Sequence, residues 1–124
     1  MSDKKKSKGF ALSIDGSQKL LDRAKDRKAK IESLLEDYIC KDYALLNRGR
    51  AIEILMEYST NLQFMTALVE QCLEEAEITV DKKSKKPIVF VEEKTANLIQ
   101  SYVLINSACE GELVANHGLS FENI

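Results

Sequence analysis

His117 is the only histidine of the chain, and it stands in Asn116-His117-Gly118 with no serine, cysteine or carboxylate at a spacing that would assemble a nucleophile, a base and an orienting acid. It reads as a surface loop histidine. Cys40, Cys72 and Cys109 are odd in number and lie 32 and 37 residues apart, which fits neither a disulfide framework nor the close pairs that hold zinc. Buried free thiols are expected. The runs Glu74-Glu75-Ala76-Glu77 and Glu92-Glu93 offer oxygen donors to a hard cation, but adjacent carboxylates on a helix point apart and the glycine-centred calcium loop is missing. Nothing among the five glycines resembles a phosphate-cradling loop. Trp is absent, and four Tyr and four Phe are scattered along the chain, so no base-stacking platform is indicated. The chain reads as non-enzymatic, with no cofactor and no metal.

Residues suited to binding are better represented. The net charge of −2 conceals 13 Lys and Arg against 8 Asp and Glu in residues 1–50, and 5 against 12 in residues 51–124. Lys and Arg gain affinity for nucleic acid by displacing counterions from phosphate, whereas a solvated basic helix face would give the same count. The candidate phosphate-facing groups are Lys4, Lys5, Lys6 and Lys8 in an N-terminal arm, Arg48 and Arg50, and Lys82, Lys83, Lys85 and Lys86. For the last four, a solvated loop that keeps edge strands from aggregating is the better reading. At the other end, Leu113, Val114, Leu119, Phe121 and Ile124 make the C-terminal segment too apolar for a spacer. It must lie against the body of the protein or against a partner.

These groups have to be positioned by a chain of 124 residues with 44% hydrophobic and 31% charged residues, a length and mix that support one core. Residues 1–8 form a polar basic arm, and residues 9–124 read as a single helix-rich domain. Phe10, Leu12 and Ile14 alternate with Gly9, Ala11, Ser13 and Asp15, the period-two pattern of a half-buried strand. Asp15-Gly16-Ser17 supplies turn and cap chemistry for a helix carrying Leu20, Leu21, Ala24, Ile31, Leu34, Leu35, Tyr38 and Ile39 at helical steps. A second helical stripe runs from Asn47, which can cap it, through Ala51, Leu55, Tyr58, Leu62, Met65, Val69 and Cys72 to Ala76. Ser59-Thr60-Asn61 compete for the backbone and are expected to break it.

Ile78-Thr79-Val80 and Ile88-Val89-Phe90-Val91 flank the lysine-rich segment and read as a β-hairpin with a basic tip. A third helix follows through Leu98, Ile99, Tyr102, Val103 and Ile105, with Gly111 and Gly118 punctuating its end. The expected fold is mainly α, a helical bundle with a short N-terminal strand and one β-hairpin. The long second stripe exceeds what so short a chain comfortably covers, so a homo-oligomer is expected. No segment approaches the roughly 18 apolar residues of a membrane span and none has signal-peptide form, which leads to the expectation of a cytoplasmic protein with no membrane partner.

Across residues 4–58 the order of basic arm, short strand, helix and a helix opening Asn47-Arg48-Gly49-Arg50-Ala51-Ile52 resembles the ribbon-helix-helix DNA-binding proteins. The resemblance implies that two chains pair their strands into a ribbon entering the major groove, while Arg48 and the amides at the second helix's start hold backbone phosphate. Gly9 and Ala11, facing outward, can read a base edge only by apolar contact. Slight sequence preference is expected. Two functions follow from the sequence: a protein-binding adaptor or inhibitor using an apolar helix face and the C-terminal segment, or a dimeric DNA-binding regulator or plasmid or conjugation accessory protein.

Overall fold

Ser13 decides where the first helix starts, because its Oγ accepts the Gly16 N–H at 3.0 Å and so satisfies one of the free amides of the opening turn. The structure, a computed structural model, describes residues 9–40 and 48–121. Its elements are β1 (Phe10–Ser13), α1 (Ile14–Cys40), α2 (Arg48–Glu75), β2 (Thr79–Val80), β3 (Pro87–Val91) and α3 (Glu93–His117). The mainly helical architecture with a short N-terminal strand and a hairpin is the one the periodicity calls for. Helix α1 nevertheless starts three residues earlier than Asp15-Gly16-Ser17 suggests. Those residues lie inside its first turn, where Asp15 complements the helix dipole.

Helix α2 runs unbroken through Ser59-Thr60-Asn61. Each of these residues costs at most about 0.7 kcal/mol against alanine in a helix, whereas Tyr58 and Leu62 on either side are buried and contribute about 1.5 to 3 kcal/mol each. Packing therefore overrides the local preference. Its buried stripe, Ala51, Ile54, Leu55, Tyr58, Leu62, Met65 and Val69, is enclosed between α1 and α3, which both pack extensively on α2 and touch each other little. One chain thus covers the stripe that had suggested a second copy.

Helix α3 ends at the second of the two glycines expected to punctuate it. Gly111 is an interior residue of the helix, and the end comes at Gly118, whose left-handed φ of 69° lets its N–H reach the Leu113 carbonyl. The Leu119 N–H reaches the same carbonyl at 3.2 Å. The chain is thereby turned back onto the bundle, and Leu119 and Phe121 enter the core.

A small antiparallel sheet closes one end, in the order β1-β3-β2. Strand β3 is central, paired with β1 through Phe10 to Val91, Ala11 to Phe90, Leu12 to Val89 and Ser13 to Ile88, and with β2 through Thr79 to Ile88. Gly9 enters β1 with φ 45°, and a Cβ there would stand 2.6 Å from the Val91 carbonyl oxygen. Only glycine permits that approach.

Burial of the C-terminal segment generates a direct test. Phe121→Ala should lower stability by about 3 to 5 kcal/mol, while Val114→Ala, on the exposed side of α3, should change it by no more than about 0.5 kcal/mol. Urea denaturation measures both, and equal small effects would show that Phe121 is not a core residue.

Candidate functional site

Of the residues with binding chemistry, Lys82, Lys83, Lys85 and Lys86 are the ones held out to solvent together. The turn between β2 and β3 is built on Asp81. Its carboxylate accepts the Ser84 N–H at 2.8 Å, its carbonyl accepts the Lys85 N–H at 2.8 Å, and its own N–H donates to the Lys86 carbonyl at 2.9 Å. Lys85 adopts a left-handed φ of 63° to close the turn. The hydrogen bonds from Ser84 hold the Asp81 carboxyl below its ordinary value. The four ammonium groups thus project from a fixed turn, and none forms an ion pair among the described residues.

The remaining basic candidates are placed differently. Arg48 donates from Nε to the Tyr38 carbonyl at 2.9 Å, and a second guanidinium nitrogen reaches the same oxygen. This ties the start of α2 to the last turns of α1, whose carbonyls lack helical partners. Arg50 faces Glu53 at 3.4 Å and Glu112 at 3.6 Å, so it links α2 to α3. Lys4, Lys5, Lys6 and Lys8, the cap assigned to Asn47, and Ile124 lie outside the described residues.

The C-terminal candidates resolve into two groups. Leu113, Leu119 and Phe121 are buried in the chain's own core, and Val114 remains exposed. The apolar character of this segment is accounted for by internal packing. His117 is buried too, at 4% exposure, contrary to the surface position its loop-like sequence suggests; it belongs to the last turn of α3, on the face that carries Leu113. Cys109 is buried and Cys72 partly so, and neither is in a disulfide. Burial raises both thiols, with Glu57 and Glu112 adding to the effect at Cys109 and Glu75 at Cys72. Thiolate chemistry is thereby suppressed at both.

Arg27 stands at the junction of the helices and the C-terminal segment. It donates to the Phe121 carbonyl at 2.8 Å, lies 4.8 Å over the Phe121 ring and pairs with Glu110 at 3.5 Å. The Tyr58 hydroxyl donates to the same Glu110 oxygen at 2.7 Å. Desolvation and that carboxylate push the Tyr58 hydroxyl far above its usual value. Tyr58 remains neutral at any physiological pH.

An apolar flank between α2 and α3 is not apparent from periodicity alone. Phe64, Ala67 and Leu68 of α2 face Leu98 and Tyr102 of α3 across an open groove of about 340 Å³, and the Phe64 and Tyr102 rings are 6.3 Å apart. Phe64 is 52% exposed and Leu98 46%. Ile105, seven residues beyond Leu98, continues the strip. The signal that could have found it is the set of doublets Phe64-Met65, Leu98-Ile99 and Leu104-Ile105. Adjacent helical residues lie about 100° apart, so one buried face cannot take both members of every pair.

Among the described residues no cluster of His, Cys, Asp and Glu could hold a metal ion, and no helix is long and apolar enough to cross a membrane. No family model matches the chain, and no curated protein or solved structure proved similar to it.

The Asp81 turn carries its own pH dependence. The folded carboxyl titrates below its unfolded value, so its contribution is present above the unfolded value and lost as pH falls through the folded one. In an NMR titration the Ser84 amide signal should therefore move with a midpoint below the ordinary aspartate value of about 3.9. A midpoint at or above that value would show that the turn is not closed by Asp81.

Proposed function

We propose that this chain is a non-enzymatic protein-binding module, an adaptor or inhibitor, whose contact surface is the apolar strip on the α2–α3 flank. One observation carries the reading: Phe64 and Leu98 are about half exposed on facing helices across an apolar groove, where a chain of this composition could have placed polar residues. Large apolar side chains left exposed side by side are a recurrent mark of a protein contact. The buried His117 and the two protonated thiols favour binding over catalysis. Leu119 and Phe121 serve the strip indirectly by completing the core beneath α3. A second copy of the chain is the first partner that fits, since a strip on one flank can meet itself across a twofold axis.

Light scattering at tens of micromolar should give at least twice the chain mass of 14.0 kDa, and Phe64→Asp or Leu98→Asp should return the monomer with an unchanged helical circular dichroism spectrum and a melting temperature that no longer depends on concentration. A monomeric wild-type protein would remove self-association. A dimer indifferent to both substitutions would place the contact elsewhere.

A second reading, a DNA-binding regulator or accessory protein, is supported by the four outward lysines of the Asp81 turn. Duplex affinity should then fall steeply with salt. Replacing Lys82, Lys83, Lys85 and Lys86 together by Gln should flatten the log–log slope by about 0.9 for each phosphate that is no longer neutralised. Absence of any gel shift at low salt would end this reading.

A further inference from the structure

Charge is shared unevenly between the helices. Of the 27 residues of α1, 12 are Asp, Glu, Lys or Arg, whereas α3 has 4 in 25 and none from Thr95 to Cys109. The outward side of that uncharged stretch is apolar in large part, with Leu98 46% exposed, Leu104 60% and Ile105 39%. A helix face turned to solvent ordinarily carries charge. The centre of a protein contact is depleted of it.

The two charges that border the stretch indicate what covers it. Lys94 and Glu112 are 18 residues apart, which is five helical turns, so they stand on one line along α3, about 27 Å from each other. Leu98, Ser101, Ile105 and Ala108 fall on the same line between them, and all four are exposed. Lys94 is exposed as well, and Glu112 engages Arg50 through one carboxylate oxygen at 3.6 Å. Turned end for end, this line is its own complement: Lys94 comes opposite Glu112, Leu98 opposite Ala108 and Ile105 opposite Ser101. Opposite charges meet, and a large side chain meets a small one at each level between them. Laid parallel, the same line would set Lys94 against Lys94 and Glu112 against Glu112.

We infer that a second copy of the chain covers this face with its own α3, antiparallel, about a twofold axis level with Val103. The inference rests on the α2–α3 flank being a contact surface, and it fixes how the second copy lies there. Leu98 packs on Ala108 of the partner subunit, Ile105 on Ser101 of the partner subunit, and Lys94 closes each end against Glu112 of the partner subunit. Antiparallel α3 helices also set their dipoles in opposition.

Sedimentation of the full chain over a range of concentrations tests the pairing through two exchanges. Lys94→Glu and Glu112→Lys should each weaken the dimer by about tenfold, because the contact occurs twice and each reversal turns attraction into repulsion. Both changes in one chain should restore it to within about twofold. Ala108→Leu should weaken the dimer by overpacking against Leu98, and adding Leu98→Ala in the same chain should relieve the effect. All these side chains are at least partly exposed, so circular dichroism should show every variant folded; should Glu112→Lys fail to fold, the size exchange decides alone. A dimer that Phe64→Asp abolishes, but in which neither exchange rescues its single changes, would overturn the antiparallel pairing and leave the flank as the contact surface. A dimer indifferent to Phe64→Asp as well would overturn both, and a monomeric wild-type chain would overturn the pairing outright.

Discussion

The arrangement of the helices depends on the Arg27 guanidinium. A single side chain of α1 meets the carboxylate of Glu110 on α3 and, through it, the hydroxyl of Tyr58 on α2, while the Phe121 carbonyl and ring close over it. Arg suits this place because its planar fork donates in several directions and also stacks on an aromatic face. The Arg27 side chain is 22% exposed, so these contacts are only partly screened. A hydrogen bond to a charged group contributes about 1.5 to 3 kcal/mol, and the ring contact adds about 0.5 to 2 kcal/mol. Together they are a sizeable fraction of the about 5 to 15 kcal/mol of net stability of a small domain.

From that constraint follow the two surfaces of interest. Because α1 and α3 are joined by a polar knot and the returning C-terminal segment, rather than by a continuous apolar seam, a crevice of about 180 Å³ walled by Leu20 and Ala24 of α1, Leu62 and Met65 of α2 and Val103 of α3 survives beside Arg27. Because α2 spends its deepest stripe on α1 and α3 together, the adjacent residues Phe64 and Leu68 fall at the margin, and there they meet Leu98 and Tyr102. The flank is the remainder of a packing problem in which α2 carries more apolar residues than two neighbours can cover. Charge is distributed to match: Arg48 and Arg50 are engaged within the fold, whereas the lysines of the Asp81 turn extend into solvent.

Much of this architecture is legible in residue periodicity. The three helical stripes, the alternating segment around Leu12 and the two β-favouring runs about the lysines all identify elements that form. Boundaries are less legible, since either Ser13 or Ser17 could cap a helix and only the backbone at β1 selects the first. Local competition also misleads at Ser59-Thr60-Asn61 and Gly111, where burial of Tyr58, Leu62, Cys109 and Leu113 outweighs propensity. The pairing of β1 with β3, some 80 residues apart in sequence, leaves no local trace. Nor does the burial of His117 and Phe121, which depends on the left-handed turn at Gly118. The candidate flank was hidden for a related reason: a stripe identifies the face a helix buries, and Phe64 and Leu98 lie just beside it.

The most direct test of the knot is a double-mutant cycle between Arg27→Met, which keeps much of the side chain's length and apolar stem, and Phe121→Leu, which keeps an apolar side chain of similar reach. Stabilities of the four proteins from chemical denaturation should show a coupling of about 1 to 2 kcal/mol, as expected for residues in direct contact. Effects that add to within about 0.3 kcal/mol would mean that the guanidinium gains nothing from lying over the Phe121 ring, and the ring contact would then not be part of what ties the C-terminal segment to α1.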